Sequence, residues 1–75
     1  MTVLAEVLAR RLRKMRIKRG MSQRELAVLL ECSRGAISNY ELGHNLPNLT
    51  QLMGICLELG CSADYMVGLI DKEAP

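Results

Sequence analysis

Residues 21–43 read MSQRELAVLLECSRGAISNYELG, and their spacing predicts two short helices joined by a tight turn. Ser22 is placed to accept from the backbone N–H of Glu25, and the Glu25 carboxylate to accept from Ser22 in return. That capping box starts the first helix at Gln23. Leu26, Ala27 and Leu30 give it a compact apolar face. Glu31-Cys32-Ser33 breaks the pattern, and Ser33 caps a second helix. There Ile37 and Tyr40 fall three apart on one face, while Arg34, Gly35, Ser38 and Asn39, short or hydrogen-bonding, occupy the other. Gly43 stands where a helix stops at its C′ position. Isolated helices under roughly 12–15 residues are marginal in water. The flanking segments must therefore hold this pair, and the outward face of the second helix is left to meet something else.

The 75 residues suffice for one domain with one small core. We assign it to residues 1–70, leaving 71–75, Asp-Lys-Glu-Ala-Pro, as a C-terminal tail. Hydrophobic residues make up 49%, yet there are two tyrosines and no Phe or Trp, so the core is aliphatic. Abundant Leu and Ala with few strand formers point to an all-α fold. No apolar run approaches 18 residues and no leader pattern is visible, so neither a membrane span nor export is expected. Cys32, Cys56 and Cys61 are odd in number and lack metal spacing. Neither a disulfide nor zinc is expected, and Cys56 reads as a small buried hydrophobe. A reducing cytoplasm suits such thiols.

The net charge of +2 is unevenly spread. Residues 1–34 hold nine of the ten Lys and Arg against Glu6, Glu25 and Glu31, a local +6. Residues 35–75 hold Lys72 against five acids, a local −4. A polyanion is expected to meet the first half.

Around the central pair, residues 3–19 read as a first helix with Leu4, Leu8, Leu12 and Met15 in one stripe and Gly20 as its stop. Arg10, Arg11, Arg13, Lys14, Arg16, Lys18 and Arg19 crowd its second half, where the backbone dipole favours cations. Two or three of them are expected near phosphate, the rest raising the long-range field. A membrane-surface or calmodulin-binding role is set aside, because the stripe is narrow and the next helices need it. His44-Asn45-Leu46-Pro47 is a loop. Asn48 caps a fourth helix with Gln51 at the capping-box position, and Leu49, Leu52, Ile55, Cys56 and Leu59 give its repeat up to Gly60. Gly54 inside it suggests close packing. Cys61 is expected to point inward. Ser62 caps a short fifth helix with Tyr65 and Met66 facing the core, and Gly68 begins its end.

Five helices, the second and third joined by a three-residue turn, fit the helix-turn-helix description. In that arrangement the third helix enters the DNA major groove, about 12 Å wide. Small outward residues let its axis approach closely. Arg34 can pair with guanine O6 and N7, and Asn39 with adenine N6 and N7. The N-termini of helices two and four suit phosphate.

The order and spacing of several motifs resemble the Cro and phage-repressor type of helix-turn-helix domain, the xenobiotic-response-element family. They are Met15-Arg16; Gly20-Met21-Ser22-Gln23, Glu25-Leu26-Ala27 and Leu30; Ser33, Ile37-Ser38, Tyr40-Glu41 and Gly43; Pro47; and Leu52, Leu59-Gly60 and Ser62-Ala63-Asp64-Tyr65-Met66. The likeness spans roughly residues 4–69. It implies a five-helix, lambda-repressor-like DNA-binding domain in the cytoplasm of a prokaryote, or encoded by a phage or mobile element. It also implies roles. Arg34, Gly35, Ser38 and Asn39 would face bases; Gln23, Ser33, His44 and Asn45 would meet phosphate, Gln23 also orienting the reading helix. Arg16 and Glu41 match a largely buried salt bridge. Dimer contacts in such proteins involve the C-terminal helices, and Val28, Leu29, Met53 and Leu57 lie off the apolar stripes. Met53, Leu57, Val67, Leu69 and Ile70 are thus the dimer candidates. A two-fold homodimer would read half-sites about 34 Å apart on a palindromic operator. Two departures stand out. Glu31 replaces a glycine usual in the turn, and a left-handed Glu would cost about 1–2 kcal/mol. Gly35 replaces a longer reading side chain and removes a base contact.

The expected function is sequence-specific binding of double-stranded DNA by a transcriptional regulator, a repressor. The competing reading is a protein-interaction module or antitoxin on the same fold, favoured by the short side chains of helix three. No nucleophile–base pair, paired carboxylates, phosphate loop or metal cluster suggests an enzyme, a cofactor or a small-molecule site, and His44 has no ligand partner at metal spacing.

Overall fold

Every helix opens on a short polar side chain that accepts from the backbone N–H three residues on. The computed structural model describes Thr2–Glu73 and contains α1 (Val3–Lys18), α2 (Gln23–Leu29), α3 (Arg34–Glu41), α4 (Leu49–Leu59) and α5 (Ala63–Met66), with no strand among the described residues. Thr2, Ser22, Ser33, Asn48 and Ser62 are the caps, with bonds of 2.8–3.1 Å. Such caps satisfy donors that the helix cannot satisfy itself. In α2 the box closes, since Ser22 N also donates to Glu25 Oε1 at 2.9 Å. In α4 only the forward bond, Gln51 N to Asn48 Oδ1, is present among the described residues.

The helices end alike. A residue at positive φ follows each one, and the next N–H donates back to the carbonyl five residues earlier: Met21 to Arg16, Cys32 to Ala27, His44 to Asn39, Cys61 to Cys56 and Leu69 to Asp64, at 2.8–3.1 Å. This is the Schellman closure. Four of the positive-φ residues are glycines; the fifth is Glu31, at φ 54°. The helix-two turn is thus the one place where the closure is made against the preference of a side chain.

The core is Leu8, Leu12 and Met15 of α1, Leu26 and Ala27 of α2, Ile37 of α3, Ile55 and Leu59 of α4, then Cys61, Tyr65 and Met66. α3 lies against α1 and α2, while α5 touches both α1 and α4. Leu30, Tyr40, Leu52 and Cys56 pack on the rim, so Cys56 is half-buried rather than internal. Two stripe residues depart from expectation. Leu4 is 40% exposed, because the first turn of α1 buries Ala5 instead. Leu49 is 83% exposed and joins Met53 and Leu57 at i, i+4, i+8 on the outer face of α4. Gly54 does allow close approach: a Cβ there would lie 2.8 Å from Leu30 Cδ2. Asp71 and Glu73 of the expected tail meet α1, and Glu73 O accepts from Ser62 N at 3.4 Å. Its last residues, Ala74 and Pro75, lie outside the described part, as does Met1.

Candidate nucleic-acid interface

α3 is fastened from behind. Its Ile37 is fully buried and Tyr40 packs on the core. Its last residue, Glu41, is gripped by α1: Arg16 Nε donates to Glu41 Oε2 at 2.6 Å and Arg16 Nη2 to Oε1 at 3.0 Å. The two side chains are only 11% and 4% exposed, and Arg16 Nη1 also donates to Met21 O at 2.8 Å. The carboxylate partner raises the Arg16 pKa, against the opposing effect of burial. A forked guanidinium on a carboxylate fixes both distance and direction, so this pair locks the end of α3 to α1 and to Met21, the residue before the α2 cap.

The same carboxylate is linked to the first turn of α3. Gln23 Nε2 donates to Glu41 Oε1 at 3.1 Å, and Gln23 Oε1 accepts from Arg34 Nη1 at 3.1 Å. Four side chains from three helices therefore run Arg16–Glu41–Gln23–Arg34. Gln23 keeps one amide hydrogen unused by this chain of bonds. The Arg16–Glu41 pair is the salt bridge that the family resemblance implies; the two bonds by which Gln23 extends it to Arg34 are not visible in the sequence, because the residues they join are 18 and 11 positions apart and share no local motif.

Around it, Arg34 and Gly35 are exposed, while Ser38 and Asn39 are partly covered on the same helix. Ser33 spends its hydroxyl on Ala36 N, at 3.0 Å. His44 and Asn45 are exposed in the following loop, held by their own N–H bonds to Asn39 O at 2.9 and 3.4 Å. Cys32, just before α3, is half-buried, and burial pushes its thiol pKa up.

Most of the α1 cations are engaged by the same molecule. Arg11 Nη1 donates to Tyr65 O at 2.5 Å and Ile70 O at 2.6 Å, with its guanidinium 4.3 Å over the Tyr65 ring. Arg19 Nε donates to Leu59 O at 2.7 Å. Lys14 and Lys18 both pair with Glu73. With Arg16 on Glu41, five of the seven cations of residues 10–19 serve the fold. Arg11 and Arg19 satisfy carbonyls at the ends of α5 and α4, where helix dipoles are negative, Arg16 holds the last residue of α3, and the two lysines hold Glu73. The local +6 of residues 1–34 is therefore not a measure of the surface offered to a polyanion.

Of the dimer candidates, Met53 and Leu57 are 60% and 74% exposed, Leu69 and Ile70 are exposed, and Val67, the cap residue of α5, is half-buried. Val28 and Leu29 are exposed on α2.

Five capped helices, with α2 and α3 set as a helix-turn-helix pair, define a class of DNA-binding regulator. A helix-turn-helix family model matches residues 12–66, and the chain belongs to that family, of the Cro/C1, xenobiotic-response-element type. Among solved structures, the chain is similar to the clp gene regulator ClgR from Corynebacterium glutamicum. The two share 32% identity over 87% of this chain and 69% of the other, with a TM-score of 0.80. No curated protein sequence matches the chain. Family and neighbour together make it a DNA-binding transcription regulator acting on double-stranded DNA, in a family that is generally non-enzymatic. No helix is long and apolar enough to cross a membrane among the described residues.

Proposed function

We propose that the protein is a repressor that inserts α3 into the major groove and binds a palindromic operator as a homodimer, with residues 1–70 as its DNA-binding domain. The observation that carries this reading is the mounting of α3. It is anchored by Ile37 and Glu41, while Arg34, Gly35, Ser38 and Asn39 lie on its outer side. Arg34 reads guanine, and Asn39 reads adenine. Gln23, Ser33, His44 and Asn45 lie along the backbone, Gln23 through its remaining amide hydrogen. The regulatory role of ClgR on clp genes supports a transcriptional role here, without naming the genes.

The partner surface in this reading is α4. Leu49, Met53 and Leu57 form an uncharged stripe, and the only charged residue of the helix is Glu58. A two-fold contact is self-complementary, so antiparallel α4 helices would set Leu49 against Leu57 with Met53 at the dyad. The stripe also suits a different protein, which keeps the interaction-module or antitoxin reading as the alternative.

Fluorescence anisotropy against a selected operator, over a salt series, tests the proposal. Affinity should fall steeply with salt, and Arg34→Ala should relax preference at one base position in each half-site. Salt-independent binding would overturn the groove reading. Leu57→Glu should convert a dimer to a monomer in analytical ultracentrifugation. If Leu57→Glu abolishes activity while Arg34→Ala leaves it intact, the alternative reading replaces this one.

A further inference from the structure

DNA binding leaves two adjacent thiols without a task. Cys56 lies in the last turn of α4 and Cys61 just beyond Gly60. Cys61 N donates to Cys56 O at 3.1 Å, across a glycine at φ 67°. These are the two positions of a Schellman closure whose side chains meet. The thiols are close enough for each to shift the other's titration. Cys61 is buried and Cys56 half-buried, and both are reduced. On the far side, Arg19 packs at Gly60 and Ser62 N donates to Glu73 O. The pair therefore sits where the ends of α1 and α4, the start of α5 and residue 73 converge. The third thiol, Cys32, lies apart in the α2–α3 turn.

We propose that Cys56 and Cys61 are a modification site, a dithiol that hydrogen peroxide converts to an intrachain disulfide. Cys56, the more accessible, reacts first. Its sulfur attacks one peroxide oxygen, the O–O bond breaks, and the departing hydroxide takes the thiol proton as water, leaving a sulfenic acid. The Cys61 sulfur then attacks the Cys56 sulfur. The S–S bond forms, the S–O bond breaks, and the hydroxide leaves with the Cys61 proton as a second water. Two thiols are oxidised and one peroxide is reduced to two waters.

Burial raises both thiols, Cys61 to about 11. The thiolate is the nucleophile, so formation is slow and accelerates about tenfold per pH unit near neutrality. A thiol of raised pKa is also a poor leaving group, so exchange that reopens the bond is slow. The backbone bond already holds the residues together, so oxidation clasps α4 to α5 without disturbing α3.

The test uses the full chain carrying Cys32→Ala, which leaves two thiols. Treatment with hydrogen peroxide should remove both, with a mass loss of two hydrogens, a monomeric band without reductant, a higher melting temperature and reversal by dithiothreitol. The wild-type chain, mapped by peptide mass, should give the same Cys56–Cys61 link with Cys32 free, so the test survives if the variant folds poorly. Cys61→Ala should instead accumulate sulfinic acid at Cys56. Oxygen addition at Cys56 with the Cys61 thiol intact in the wild type, or a link between two chains through Cys56, would overturn the proposal.

Discussion

The basic half of α1 and the outer side of α3 are opposites in sequence and in use. Residues 10–19 hold seven of the chain's ten Lys and Arg, and five of those seven are bonded to carbonyls or acids of the same molecule. α3 has one cation, Arg34, at its first turn, and that cation is exposed. A cation count thus locates the residues that hold the helix ends together, not the surface proposed to meet DNA. Placement decides, because a guanidinium near orphan carbonyls is bound internally, whereas one at a helix N-terminus has no carbonyl end beside it.

The largest expected effect comes from the shared anchor of the two regions. Glu41→Ala leaves Arg16 charged and nearly buried, which should destabilise the domain by about 3–5 kcal/mol. In so small a protein that is much of the total, and thermal denaturation will show it. If the melting temperature barely moves, α1 does not anchor α3 as described. Next, Arg34→Ala should leave the melting curve unchanged and remove about 1–3 kcal/mol of discrimination at its base. By contrast, Lys14→Ala with Lys18→Ala, in the crowded region, should leave the slope of log affinity against log salt unchanged, since both lysines pair with Glu73. A slope shallower by about two would mean that they touch phosphate after all.

A smaller change sharpens the comparison at the turn between α2 and α3. Glu31→Gly relieves the left-handed glutamate at φ 54° and should stabilise by about 1 kcal/mol. That corresponds to a rise of roughly 4–8 °C in a domain of this size. DNA preference should not change, because the backbone already adopts the shape that glycine favours. A fall in melting temperature would mean that the Glu31 side chain makes a contribution larger than its strain.

Caps and stops were legible residue by residue. Ser22, Ser33, Asn48 and Ser62 announced four helix starts, and Gly20, Gly43, Gly60 and Gly68 announced four ends, because both signals are local and depend on one backbone group or one φ angle. The apolar repeat of α1 held at Leu8, Leu12 and Met15 but failed at Leu4, since periodicity marks a face without saying how far along the helix the neighbours extend. Leu49 failed for the same reason and turned up beside Met53 and Leu57. The polar residues of α3 could be assigned to an outer face from spacing. That Gln23 reaches back to Glu41 and forward to Arg34 could not, because no local spacing relates them.

The order of the helices, their boundaries, the helix-turn-helix pairing and the family were determined by the sequence itself, since each rests on interactions within about five residues or on motif order. Tertiary structure decided which charges stay available and which are consumed in joining one helix to another. Arg11 and Arg19 are indistinguishable from Arg10 and Arg13 in the linear chain. They differ only because the ends of α5 and α4 fold back to lie against them, and burial beside an unpaired carbonyl turns a surface cation into a structural donor.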